Sequence, residues 1–252
     1  MDEASANSKR IQLNLLGGFR LVVDDLPVVL PDGIQRVVAF VALQSAPVRR
    51  GFVAGSLWLD KGDARAAANL RSSLWRLHQN DIMLLGCDGG MIGLGDGVEV
   101  DVRSSIEVAR AVIHGIAVPA VDPTSQIQLL ERELLPDWYE DWVIVERERV
   151  RQLRLSALEA LASMLIETGR AAQAIDVGMA VLRTEPLRES AHRLLVDAHL
   201  AVGNRSEALR QVQICDDVLR RELGVPASES LWARVAGLHR PGRRTVQHRF
   251  AG

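Results

Sequence analysis

The sequence predicts an α+β winged helix-turn-helix domain at the N-terminus, followed by an all-α tetratricopeptide-like helical domain. Short alternating strands open the chain, and three helical patterns and a glycine-centred hairpin follow them. From residue 103 onward every periodic segment is helical, and a repeat with a spacing of 34 residues runs through this part. These three observations define the fold class.

Short strands are predicted between residues 11 and 30. The segment IQLNLLGGFRLVV alternates around Gly17 and Gly18, Asp24 and Asp25 predict a turn, and PVVL forms the next apolar run. The segment VEVDV at 98–102 predicts one more strand. For residues 11–30 we expect a small antiparallel sheet.

Three helices are predicted between these strands. In GIQRVVAFVALQSA the apolar residues fall at helical spacing until Pro47 ends the run. A second, short helix spans about Arg50 to Trp58, and Asp63 is the expected N-cap of a third, ARAAANLRSSLWRLHQ. Two apolar runs around Cys-Asp-Gly-Gly at 87–90 then predict a hairpin. This order of elements is typical of a winged helix.

The second half of the chain is predicted to be helical. Helices are expected at 103–117, 124–135, 143–168, 171–184, 187–202, 205–223 and 227–239, with a proline-containing loop at 117–124. We divide the chain into a disordered N-terminus at 1–10, a winged-helix domain at 11–102, a helical domain at 103–240, and a basic flexible tail at 241–252.

An internal repeat supports the tetratricopeptide-like prediction. Five pairs of similar residues share the 34-residue offset of stacked helix pairs, whose apolar faces are buried only by a neighbouring pair. An ordinary bundle with a chance match is the alternative, and five coincident positions favour the repeat. The pairs are Ala157 and Ala191, Leu161 and Leu195, Gly169 and Gly203, Ala174 and Ala208, and Ile175 and Leu209.

Composition and motifs argue against an enzyme. The two cysteines, Cys87 and Cys215, lie outside any metal-ligand spacing, no phosphate-binding loop motif is present, and we expect no cofactor and no metal. His192 and His199 lie on one predicted helix without a nearby ligand partner, so ordinary packing is expected. No apolar run approaches the ~18–20 residues that span a bilayer, which favours a cytoplasmic protein with no membrane partner.

An acidic and aromatic cluster remains to be explained. We expect its aromatic residues to anchor the first turn of the helical domain rather than to form a catalytic site. Its members are Asp137, Trp138, Tyr139, Glu140, Asp141 and Trp142.

The third helix has a polar face suited to the major groove of DNA. At 100° per residue its apolar residues cluster on one side, and the polar residues occupy the other. Arginine pairs with guanine and asparagine with adenine through two hydrogen bonds each, whereas a solvated surface helix usually mixes Glu with Lys. No acid follows Asp63 in this helix. The predicted base-reading residues are Arg65, Asn69, Arg71, Ser72 and Arg76.

Phosphate contacts are predicted around this helix. Six basic residues and two acidic ones lie between residues 49 and 80, although the whole chain carries a net charge of −2. Arg49 and Arg50 start the second helix and Arg36 lies near the start of the first, where each can meet the DNA backbone. The hairpin tip at 88–90 has no basic residue, so we expect only its backbone amides to approach DNA.

These segments resemble the Streptomyces antibiotic regulatory protein family. The resemblance covers about residues 11–240 and rests on LNLLGGFRLVVDD, GIQRVVAFVALQSAPVRRGFVAGSLW, ANLRSSLWRLH and VEVDV in the winged domain. LLPDWYEDWVIVERERVRQLRLSALEALA and ELGVPASESLW resemble the two ends of the family's bacterial transcriptional activator domain. The Gly-Met-Ile stretch at 90–92 departs from the Gly-Tyr pair that is usual in the family hairpin.

The resemblance implies a transcription activator with an OmpR-type winged helix. Such a protein binds direct repeats in double-stranded promoter DNA and recruits RNA polymerase holoenzyme, here for a secondary-metabolite (antibiotic) gene cluster. We expect a homodimer on DNA, because tandem repeats need two reading heads. The resemblance also places the polymerase-contact loop at Leu59, Asp60, Lys61, Gly62 and Asp63.

A protein-interaction adaptor is the alternative function. In that case the tetratricopeptide-like domain binds a partner protein, and the winged helix does not read DNA. The near-neutral net charge and the unusual hairpin tip favour this alternative. Failure to retard any promoter fragment, together with capture of a stable protein partner, would discriminate it from the activator.

Overall fold

The computed structural model describes residues 9–79, 82–116 and 130–238. The chain packs as two compact units, Met1–Arg154 and Leu155–Gly252. Most of the predicted disordered N-terminus, the whole loop at 117–124 and the whole tail at 241–252 lie outside the described residues.

The first unit contains the predicted strands and helices in the predicted order. Its strands are β1 (Ile11–Asn14), β2 (Arg20–Val23), β3 (Leu26–Val28), β4 (Val48–Arg49), β5 (Leu85–Asp88), β6 (Met91–Leu94) and β7 (Val98–Val100). Its helices are α1 (Asp32–Ala42), α2 (Arg50–Leu57), α3 (Asp63–His78) and α4 (Asp101–Ile113), and α5 (Asp141–Glu167) begins there.

Two small sheets flank the three central helices. The N-terminal sheet has the order β3-β2-β1-β7. The antiparallel sheet predicted for residues 11–30 is confirmed in β1, β2 and β3, and β7 joins it parallel to β1. The second sheet has the order β4-β6-β5 and contains the predicted hairpin. Asp24 and Asp25 both adopt positive φ angles, of 49° and 64°, in the predicted turn between β2 and β3. Aspartate tolerates this left-handed conformation better than most residues do.

One apolar core fills the first unit. Leu13 and Leu21 from the sheet meet Val38 of α1, Val53 of α2 and Leu74 of α3, and each of these side chains is at most 6% exposed. The strands contribute alternate residues and the helices contribute residues three or four apart, as the two periodicities require. This core fixes the orientation of α3, which is the helix with the predicted polar face.

The core of the first unit extends well past residue 102. Leu134 forms an isolated bridge with Leu16, and the N–H of Leu135 donates to Leu15 O at 2.9 Å. Leu134 and Leu135 are fully buried in this core, and Arg147 of α5 donates to both of their carbonyl oxygens. The predicted helix at 124–135 is therefore wrong at its end, since residue 134 is bridged to the sheet region. The domain boundary near residue 103 stays a prediction. The division between the two compact units falls after Arg154.

The second unit consists of paired helices. It contains the C-terminal part of α5 and then α6 (Ala171–Thr184), α7 (Glu189–Ala201), α8 (Arg205–Leu223) and α9 (Glu229–Ala233). The bounds predicted for α6 and α8 are confirmed. The single helix predicted at 227–239 is wrong, because α9 ends at Ala233 and a 3₁₀ turn follows at Ala236–Leu238. Gly237 lowers the helical propensity of that last turn.

The 34-residue repeat has a consistent structural meaning. Gly169 and Gly203 follow the ends of α5 and α7 with φ angles of 75° and 80°, which glycine adopts without steric strain. The paired alanines and leucines of the repeat occupy matching positions: Ala157 and Ala191, Leu161 and Leu195, and Ala174 and Ala208 are all at most 1% exposed. Equivalent positions therefore have equivalent conformations and burial.

Candidate nucleic-acid interface

Helix α3 is held by one apolar side. Ala66, Leu70, Leu74 and Leu77 are between 2% and 6% exposed and pack in the core of the first unit. Their spacings of four, four and three residues place them along a single stripe. Because this stripe faces inward, the opposite side of α3 faces away from the core.

The predicted base-reading residues lie on that outward side. Arg65, Arg71, Ser72 and Arg76 are exposed, and Asn69 is half-buried. Among the described residues, neither Arg65 nor Arg71 forms an ion pair. The only acid in α3 is its first residue, Asp63. This face can donate hydrogen bonds to base edges or phosphates and carries a positive charge.

Trp75 belongs to the same face and was not among the predicted site residues. Its side chain is 63% exposed, whereas Trp58, Trp138 and Trp142 pack against the core. An exposed tryptophan has a large apolar ring and one N–H donor, a combination that is frequent at binding surfaces. Its position on the polar arc of the wheel is the sequence signal that could have identified it.

Arg49 and Arg50 lie beside the tip of the hairpin. Strand β4 pairs with β6 so that Arg49 lies opposite Met91, and the N–H of Arg50 donates to Gly90 O at 3.0 Å. Gly89 and Gly90 have φ angles of 53° and 82°, as a two-residue hairpin turn requires. Both arginine side chains are exposed. The start of α2 and the hairpin therefore form one local surface with two cations.

Arg36 has a different environment from the one predicted. Its guanidinium donates to Leu57 O at 3.0 Å and forms an ion pair with Glu140 at 2.8 Å. The Arg36 and Glu140 side chains are 31% and 29% exposed. A phosphate contact would have to compete with both interactions, so the structure does not favour Arg36 as a DNA contact.

The predicted polymerase-contact loop connects α2 to α3. Leu59 is 78% exposed, and Lys61 donates to Asp60 at 2.6 Å. This hydrogen bond from Lys61 lowers the pKa of the Asp60 carboxyl. The predicted N-cap is wrong: Gly62 occupies the cap position, and Asp63 is the first helical residue. The carboxylate of Asp63 is nevertheless favourable there, at the positive end of the helix dipole.

The acidic and aromatic cluster anchors α5 to the first unit. The Trp142 ring contacts Phe40 edge-on with centroids 5.2 Å apart, and Trp138 stacks on Phe19 at 6.1 Å. The aromatic residues therefore anchor the start of α5, as predicted, and they do so in the core of the first unit. Tyr139 is 79% exposed and does not take part in this packing.

His192 and Cys215 are buried in packing environments. His192 is 2% exposed; its Nε2 bonds to Pro186 O at 3.0 Å and its Nδ1 to Gln211 Nε2 at 2.6 Å. Burial raises the pKa of the Cys215 thiol to about 12. Within residues 9–79, 82–116 and 130–238, no three His, Cys, Asp or Glu side chains are grouped as metal ligands. No helix in these ranges is both long and apolar enough to cross a bilayer.

Comparisons with known proteins agree with this architecture. Residues 121–238 match the bacterial transcriptional activator domain. Transcriptional regulator RedD of Streptomyces coelicolor is 33% identical over 136 residues, and Regulatory protein AfsR of the same species is 26% identical over 243 residues. The matched segments cover 50% and 90% of this chain, but only 39% of RedD and 24% of AfsR. The chain therefore spans less than half of either relative.

A solved structure shares the fold. Mycobacterium tuberculosis EmbR, determined in complex with a low-affinity phosphopeptide, superposes with a TM-score of 0.67 at 21% identity. The superposition covers 90% of this chain and 64% of EmbR. Fold and matches together define the class, a winged helix joined to a bacterial transcriptional activator domain. Within that class, the chain is similar to the Streptomyces coelicolor regulators RedD and AfsR.

Proposed function

We propose that this protein is a sequence-specific DNA-binding transcription activator. The observation that carries the proposal is the outward face of α3, where three arginines, an asparagine and a serine lie on one side of a helix with a buried leucine stripe. Similarity to RedD and AfsR, which are described as regulators, supports the same function.

The proposed docking places α3 in the major groove. The groove is about 12 Å wide and admits one helix, whose N-terminal part contacts base edges in helix-turn-helix proteins. Arg65 and Asn69 lie in the first two turns and are the proposed base readers. Arg71, Ser72 and Arg76 lie further along α3, where a helix leaves the groove, and they complete the interface through bases or phosphates.

Backbone contacts come from the surface at the start of α2. Arg49 and Arg50 are exposed beside the hairpin turn, so a duplex bound to α3 and the hairpin would bring phosphates toward them. Phosphate contacts orient the protein without reading sequence, and they make binding strongly dependent on salt. Two copies on direct repeats would double this footprint.

Activation requires a contact with the transcription machinery. We assign it to the loop of Leu59, Asp60, Lys61, Gly62 and Asp63, which connects α2 to α3. Leu59 is exposed there, with the Asp60–Lys61 ion pair next to it. The proposed partner is RNA polymerase holoenzyme, the proposed place of action is the cytoplasm, and the proposed target is a secondary-metabolite gene cluster.

A footprint on the DNA that flanks the protein's own gene tests the proposal. We expect protection of two direct repeats and an affinity that falls steeply as salt rises. Failure to protect or retard any fragment of that DNA, with capture of a stable protein partner, would instead identify an adaptor.

A further inference from the structure

Two shallow pockets meet at Tyr139, and none of the residues proposed to read DNA lines either of them. One has a volume of about 300 Å³ and lies between the end of α2, the loop after it and the start of α5. The other has a volume of about 240 Å³ and lies against the first turns of α1. We call their combined lining the Tyr139 surface; its charged and exposed apolar residues are Asp32, Arg36, Leu59, Asp60, Asp137, Tyr139, Glu140 and Asp141.

The Tyr139 surface has two exposed apolar side chains. Leu59 is 78% exposed and Tyr139 is 79% exposed, and both line the larger pocket. The tryptophan rings on either side of Tyr139 are packed against the core, so the chain beneath the tyrosine is fixed. A tyrosine on a rigid support loses little conformational entropy on binding, and tyrosine is enriched among the residues that dominate interface energies.

Carboxylates surround these apolar side chains. Among the described residues, the two pockets are lined by one guanidinium, that of Arg36, and by the carboxylates of Asp32, Asp60, Asp137, Glu140 and Asp141. Lys61 offsets Asp60 and Arg36 offsets Glu140 through ion pairs. Asp32, Asp137 and Asp141 are exposed. The surface therefore has a negative potential and complements a positively charged partner.

Arg36 joins the two parts of the surface. It binds the carbonyl oxygen of Leu57 at the end of α2 and the carboxylate of Glu140 just before α5. The loop that contains Leu59 and the segment that contains Tyr139 are 80 residues apart in the sequence, yet this one side chain contacts both neighbourhoods. The surface is thus organised before any partner binds, which reduces the entropic cost of binding.

We propose that the Tyr139 surface is a docking site for a basic segment of RNA polymerase holoenzyme that inserts an apolar side chain between Leu59 and Tyr139. This inference rests on the proposed function. It extends the polymerase contact from the α2–α3 loop to Tyr139 and Asp141, and it makes Arg36 a positioning residue. The charge of the Tyr139 surface is opposite to that of the α3 face. DNA and the basic polymerase segment would therefore bind different surfaces of the first unit.

The test separates polymerase contact from DNA binding. The full chain is compared with Tyr139→Ala, Leu59→Ala and Asp141→Lys, and the matched control is Leu26→Ala, an exposed leucine at 69% outside both pockets. Tyr139→Phe retains the ring. For each protein, the affinity for the footprinted promoter fragment and the stimulation of transcription by purified holoenzyme are measured, and thermal unfolding confirms that the variants fold.

We expect Tyr139→Ala, Leu59→Ala and Asp141→Lys to lower the stimulation at least fivefold, with DNA affinity within twofold of the parent. Leu26→Ala keeps the parent's stimulation, and Tyr139→Phe keeps most of it. If the parent binds DNA and activates but these variants activate equally well, the Tyr139 surface is not the docking site and the proposed function stands. A loss of self-association in Tyr139→Ala would assign the surface to a second copy and overturn the inference. A parent that neither binds nor activates overturns both proposals.

Discussion

Gly178 of α6 tests how closely the paired helices of the second unit approach each other. A Cβ atom added at Gly178 would lie 2.8 Å from both Cγ and Cδ2 of Leu195 in α7. Ordinary carbon contacts are about 3.5–4.0 Å, so Leu195 would have to move by roughly 1 Å. Leu195 is only 1% exposed and has little space for such a shift.

The expected effect of Gly178→Ala follows from two opposing terms. Alanine improves helix propensity by about 1 kcal/mol over glycine, and overpacking a filled core costs about 1–3 kcal/mol. We therefore expect Gly178→Ala to lower the free energy of unfolding by about 0–2 kcal/mol. In a Leu195→Ala background the obstructing side chain is absent, so the same substitution should stabilise the protein by up to about 1 kcal/mol.

The free energy of unfolding is measured by urea denaturation monitored by circular dichroism. The four proteins compared are the parent, the two single variants and the double variant. Leu195→Ala alone should cost about 2–5 kcal/mol, because it leaves a cavity. The sign of the Gly178→Ala effect should reverse between the two backgrounds. If the two substitutions were additive within about 0.5 kcal/mol, the close approach of α6 and α7 at this position would be refuted.

Further predictions concern the titratable groups and the DNA face. Burial lowers the pKa of His192 below its usual 6.5, so the stabilisation from the neutral ring is present above that pH and is lost as the pH falls through the folded-state pKa. The unfolding free energy should therefore decrease from pH 7 to pH 5, and His192→Gln should flatten this dependence; an unchanged slope would contradict it. A thiol reagent should modify exposed Cys87 rapidly and buried Cys215 only on unfolding, as counted in the native and denatured protein. Trp75→Ala should weaken DNA binding about three- to thirtyfold through lost contact with the duplex, but it should leave the salt slope intact because no charge is removed. If Trp75→Ala also changed the salt slope, the number of phosphate contacts would have changed with it.

Local periodicity explains what the sequence predicts well. The bounds of α6 and α8 are confirmed because each helix has a continuous apolar stripe. The repeat glycines Gly169 and Gly203 share a positive φ, as their common position after a helix suggests. The polar face of α3 is exposed because the leucines opposite it satisfy the core.

Long-range contacts explain what the sequence does not predict. Arg36 is paired with Glu140, which is 104 residues away, and no local pattern indicates this partner. Leu135 is buried with a φ of 42°, a strained conformation for leucine that the surrounding core, its N–H bond to Leu15 O and the Arg147 hydrogen bond maintain. The parallel pairing of β7 with β1 likewise depends on the path of the whole first unit.

The affinity of α3 variants for the footprinted promoter DNA tests the central claim most directly. Arg65→Ala and Asn69→Ala are compared with Arg210→Ala, an arginine of α8 whose side chain is 70% exposed. We expect losses of about 1–3 kcal/mol for each α3 variant, with relaxed preference at one base pair, and no loss for the control. If all three variants bind the native site as tightly as the parent, α3 does not read DNA.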